Sequence, residues 1–229
     1  MNGRLERMAP LTGIATVACT IIALLIFGSM PSYVTDSPDR IASWFNDHNG
    51  RILTGAWFDM LGGLFALWFA AVLRSWLVAR EGVPGRLSNL VFGGIVAAQA
   101  CFWIADGMLV ALAARAGEDG IVNSPTSAAT MFDVSGMLVF VAGAMAIGTA
   151  LAAVAVVAFR HAAMPHWLGY SAGVLALVCI VPFTSWIGLL ASNVWVVAAS
   201  VWLYRAMAPV AARRPPGVRP VPPAPAAGA

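Results

Sequence analysis

The chain contains no lysine; all 13 of its basic residues are arginine. We read that one-sided usage as the base composition of a G+C-rich bacterial genome, because the arginines are dispersed and form no basic patch. Dispersal also excludes a nucleic-acid surface, despite a pI near 9.1. Charge of either sign is scarce. Only 10% of the 229 residues are charged, against about 25% in a soluble domain. That excludes an ordinary water-soluble fold. Cysteine is rare as well. Cys19, Cys101 and Cys179 all fall in apolar runs without metal-ligand spacing, so they read as small buried hydrophobes. The three histidines lie in or beside loops, which speaks against a haem or metal core. G-x-S-x-G, H-E-x-x-H and phosphate-loop patterns are missing. We therefore expect no enzyme, no cofactor and no metal.

What is present is apolar sequence: 60% of residues are hydrophobic and the mean hydropathy is +0.83. The apolar runs have membrane-spanning length, about 20 residues, and lack the alternation of barrel strands. They predict an all-α membrane protein of six transmembrane helices, at about 11–30, 52–73, 89–113, 128–159, 167–181 and 186–204. The first run is too long for a signal-peptide core and lacks a small-residue cleavage site, so it reads as an uncleaved span. Ser37-Pro38-Asp39 is a helix start. The spacing of Ile41, Trp44, Phe45 and His48 up to Gly50 predicts a short amphipathic helix in the first outer loop, on the membrane surface or lidding the bundle. Residues 209–229 are rich in Pro, Ala and Arg and predict a disordered tail.

Six spans place both termini on one side. That side collects ten arginines (4, 7, 74, 80, 86, 160, 205, 213, 214, 219), while the other has three, Arg40, Arg51 and Arg115. The second side also carries Asp36, Asp39, Asp47, Glu118 and Asp119. The positive-inside rule then predicts cytoplasmic termini in a bacterial plasma membrane. In this frame Asp59, Asp106, Asp133 and Asn193 all fall in the outer half of the membrane, with Gln99 seven residues before Asp106 on the same helix face. Asp59 shares a face with Gly55, Gly62, Gly63 and Ala66, and such small-residue faces let helices approach closely.

Phe58-Asp59 and Phe132-Asp133 are 74 residues apart, and so are Gly62 and Gly136, Leu64 and Leu138, and Pro10 and Pro84. The offset suggests repeated in-out-in hairpins. A carboxylate in the membrane interior costs roughly 2.5–3.5 kcal/mol and pairs, protonates or lines a wet cavity. Asp59, Asp106, Asp133, Asn193 and Gln99 are therefore the candidate pocket for a proton, a cation or an amine-bearing solute. The competing reading is a scaffold in which the acids lock helix packing and a membrane protein partner is recruited.

The first loop, Asp36-Ser37-Pro38-Asp39-Arg40-Ile41-Ala42-Ser43-Trp44-Phe45, and the motif Met164-Pro165-His166-Trp167-Leu168-Gly169 resemble a family of six-span, actinobacterial-type integral membrane proteins with a domain of unknown function. The resemblance covers most of residues 8–208. It implies the architecture and transfers no functional residue.

Overall fold

The computed structural model describes residues 8–116 and 124–212, with side chains as far as 207. Among the described residues all regular structure is helical. A 3-10 turn at Ala9–Leu11 leads into α1, Thr12–Phe27. The others are α2 (Pro38–Glu81), α3 (Arg86–Ala116), α4 (Pro125–His161), α5 (His166–Ile180) and α6 (Ser185–Ala212). Among the described residues five stretches, all the helices but α5, are long and apolar enough to cross a membrane. The helices run alternately up and down. The turns at 28–37 and 181–184 lie at one end, here called upper; those at 82–85 and 162–165 lie at the lower end.

The ends of the helices follow from local chemistry. Pro38 opens α2 and Ser37 Oγ accepts from Arg40 N (3.4 Å), as the helix-start motif predicts. Gly28, with φ 66°, terminates α1 in a conformation costly for other residues. Arg51 Nε donates to the Ile26 carbonyl (3.0 Å), placing a cation at the C-terminus of α1.

One expectation is corrected. The amphipathic segment before Gly50 is not a separate helix: α2 runs unbroken for 44 residues, about 66 Å. Gly50 does not adopt a left-handed conformation, and it costs a helix interior only about 1 kcal/mol. Thr54 Oγ1 bonds the Gly50 carbonyl (2.9 Å) within the same helix. The apolar face of the segment is nevertheless covered by protein. Ile41, Phe45 and Ile52 are almost fully buried and pack with Phe27, Leu109, Leu112 and Phe132 in an upper core. The segment thus rises above the bundle and lids it. His48 Nδ1 donates to the Trp44 carbonyl (2.9 Å), a packing role. A separate lower core joins Leu73, Leu77, Val91, Val154, Val157, Leu168 and Leu203.

Between the cores, small residues bring the helices together. A side chain at Gly62 would meet Cys19 and the Thr16 carbonyl of α1; one at Gly94 would meet the Ala146 carbonyl of α4. At the lower end a side chain at Gly13 would collide with Ser200 and Phe69. Without a hydrophobic force between helices in lipid, such dispersion contacts carry association. The expected tail begins later than its composition suggests, since α6 continues to Ala212. The rest of the tail, Glu118 and Asp119, and Arg4, Arg7, Arg213, Arg214 and Arg219 lie outside the described residues.

These two glycine environments make opposite predictions. Gly50 has open space around it, so Gly50→Ala raises helix stability by about 0.5–1 kcal/mol. Gly13→Val forces α1 away from α6 and lowers the melting temperature. Thermal unfolding of the detergent-solubilised variants, followed by tryptophan fluorescence, checks both; a loss of stability in Gly50→Ala contradicts the continuous helix.

Candidate functional site: a polar cavity between two cores

A cavity of about 280 Å³ lies against the lower core, whose Phe69, Leu73, Val91, Leu151 and Val154 form part of its wall. Helices α1, α2, α3, α4 and α6 all contribute to its wall. Four of the five residues singled out in the sequence, Asp59, Gln99, Asp106 and Asn193, line it together. Each arrives for a local reason. Asp59 precedes the close-packing Gly62 and Gly63, so it faces inward with them. Gln99 and Asp106 are two turns apart on α3. Asn193 lies two turns into α6, and its Nδ2 donates to the Leu189 carbonyl (3.0 Å), leaving its carbonyl oxygen for other contacts.

The two acids differ in how they are held. Asp59 Oδ1 accepts from Thr20 Oγ1 of α1 at 3.2 Å. Asp106 is only 5% exposed, and its Oδ2 is buried with no hydrogen-bond partner among the described residues. Gln99 is also buried. The nearby Trp103 indole gives its N–H to the Met60 carbonyl (3.3 Å), so it is committed elsewhere. Among the described residues, no arginine or histidine lines the cavity. Arg51, the basic residue nearest Asp59 in sequence, is engaged with Ile26, and Arg115 is exposed.

Thr16, Thr20 and the α4 contribution escaped the sequence reading. The threonines recur every fourth residue from Thr12, a hydroxyl stripe legible in principle. Thr16 Oγ1 bonds the Thr12 carbonyl (3.1 Å), whereas Thr20 turns across to Asp59. On α4, a π-helical stretch at Leu138–Gly143 carries the cavity-lining Val139 and Phe140. Such wide turns are often found at functional sites, and nothing in the local sequence announces one.

Asp133 is the exception among the five. It does not line the cavity; its Oδ1 accepts from Val34 N at 2.7 Å. The expected grouping of Asp133 with the other acids is therefore corrected: it fastens the first loop to α4. Val34 has φ 67°, strained for a β-branched residue, and the charge-assisted bond helps hold that conformation. Tyr33 beside it stacks on Phe132 (centroids 4.4 Å, 12° between planes), and its ring occupies the space left open by Gly136. Burial pushes the Tyr33 phenol up to about 12; Asp106 and Asp133 act in the same direction, and Ser135 opposes it. The loop braces itself too, with Asp36 accepting from Ser32 N (2.7 Å) and pairing with Arg40 (2.9 Å). The two aspartates at the 74-residue offset thus meet different partners, a helix hydroxyl for Asp59 and a loop amide for Asp133.

Compared with family models, curated proteins and solved structures, the chain matches none.

The loop clamp predicts a local effect. Asp133→Ala removes the acceptor of the Val34 amide, which is exposed so that water takes the vacated place, at a cost of about 0.5–1.5 kcal/mol. Hydrogen exchange at Val34 should speed up several-fold while exchange along α3 stays unchanged. Unchanged exchange at Val34 contradicts the assignment.

Proposed function

We propose that this is a six-span protein of a bacterial cytoplasmic membrane that binds or transports a small cationic solute in its central cavity. The observation that carries the reading is the buried Oδ2 of Asp106, which has no hydrogen-bond partner among the described residues, in a cavity shared with Asp59 and lined by no basic side chain among those residues. Ionisable residues at such depth face a bundle interior or a wet cavity and mark ligand or ion paths. An ammonium group or a proton supplies what the wall lacks. Thr20, Gln99 and Asn193 add the neutral polar contacts that orient a guest.

The sixth crossing is α5, whose 15 residues extend about 22 Å. It is flanked by the exposed apolar residues Val181 and Phe183 and by the buried Ala163 and Met164, which lengthen its apolar path; short spans are tolerated by local thinning of the bilayer. Arg74, Arg80, Arg86, Arg160 and Arg205 gather at the lower end, so the positive-inside rule makes it cytoplasmic. The polar part of the cavity then lies nearer the outer face.

The scaffold reading differs in what the acids do. Trp186 and Trp195 line the cavity and offer an optical signal. Titrating propylamine, as its ammonium form, into the detergent-solubilised protein should change tryptophan fluorescence saturably. Asp106→Asn or Asp59→Asn should weaken the apparent affinity at least tenfold, about 1.4 kcal/mol, with the fold retained. Variants that alter the melting temperature but leave the titration unchanged would favour a packing lock.

A further inference from the structure

We infer that the solute is a single-chain amphiphile with an amine head group, which enters sideways from the lipid between α1 and α6. The inference rests on the cation site proposed above and adds to it a chain-binding half and a route.

The cavity is two-sided. Its carboxylates and amides lie on the upper and middle turns of α2, α3 and α6. Below them, apart from Thr16 of α1, the wall is apolar, with Phe69 and Leu73 of α2, Val91 of α3, and Leu151 and Val154 of α4. From Asp59 to Leu73 is 14 residues along one helix, about 21 Å of rise. A small hydrophilic cation would leave that apolar length empty. A molecule with one charged end and one alkyl chain matches both parts.

The route follows from how α1 and α6 are held. They meet at the lower end, where Gly13 lies against Ser200. At their upper ends each leans on a different neighbour. Phe27 of α1 packs on Gly55 of α2, while Gly188 of α6 packs on Cys179 of α5. Between them stand Leu24, Trp186 and Leu190. All three line the cavity, yet they are 49%, 52% and 52% exposed. Cavity wall and lipid-facing surface are therefore continuous at this seam. From above, access is covered by the α2 extension and by the loop that Asp133 fastens. An amphiphile already dissolved in the bilayer needs only the side seam.

The test uses a twelve-carbon alkylamine carrying a diazirine at the chain end, photolysed with the full-length protein in nanodiscs, and adducts mapped by mass spectrometry. Adducts should fall on Phe69, Leu73, Leu151 and Val154. Unlabelled dodecylamine should suppress them at least tenfold better than propylamine does. Leu190→Trp, which adds bulk at the seam, should slow labelling several-fold. Dodecanol should compete poorly, and Asp106→Asn should cut cavity labelling at least fivefold. If propylamine competes as well as dodecylamine, or adducts appear only on lipid-facing residues such as Trp68 and Leu177, the amphiphile is overturned while the cation site stands. If dodecanol competes as well as dodecylamine and Asp106→Asn labels like the parent, the cation site itself fails. The competition arms use the unmodified protein, so misfolding of a variant does not blur the outcome.

Discussion

A carboxylate shut away from water must be answered by a charge, a proton or a donor, and the protein leaves Asp106 Oδ2 without a partner among its described residues. Much of the bundle is arranged around that deficit. The arginines that could relieve it are held elsewhere: Arg51 sits on the C-terminus of α1, and Arg115 faces out. Asp59 has only the Thr20 hydroxyl as a described hydrogen-bond donor. Small residues on α2 and α3 draw the helices close above and below, yet the two apolar cores do not merge across the gap. A protein built only for packing would fill that gap with leucine or phenylalanine, since interiors favour close packing and buried charges are expensive.

The cover over the gap has its own logic. The extension of α2 turns Ile41, Phe45 and Ile52 inward, so the lid is anchored by the same helix that carries Asp59. The first loop is fixed at Tyr33 and Val34 by stacking and by one carboxylate on α4. Lid, loop and α4 are thereby coupled through Phe132, which touches Tyr33, Trp44 and Phe45. The adjoining π-helical stretch of α4 carries Val139 and Phe140 to the cavity wall. Through the edge contact of Tyr33 with Phe140 (5.6 Å), one contiguous aromatic patch joins the upper cover to the cavity.

Much of this was legible in the sequence, because membranes impose few solutions. Hydropathy marked where the long helices lie, and the glycine spacing around Asp59 correctly turned that residue inward. Depth counting brought Asp59, Asp106, Asp133 and Asn193 to one layer, and helix spacing put Gln99 on the face of Asp106; all but Asp133 line one cavity. It failed for Asp133, since depth says nothing about which face a residue uses when a loop folds back on it. Tyr33 and Val34 gave no signal, because their role depends on contacts with α4 about a hundred residues away. The break expected at Gly50 was a propensity argument, and the packing of Ile41 and Phe45 outweighed a cost of about 1 kcal/mol. The π-helical stretch and the seam between α1 and α6 arise only from tertiary packing.

The most direct measurement of the central claim is a density map of the protein purified in lipid nanodiscs, at a resolution that separates side chains. The account predicts an occupied cavity, with elongated density running from the Asp106 carboxylate down between Leu73 and Leu151 and reaching lipid between α1 and α6. A collapsed, empty gap in which a protein donor satisfies Asp106 Oδ2 would contradict it.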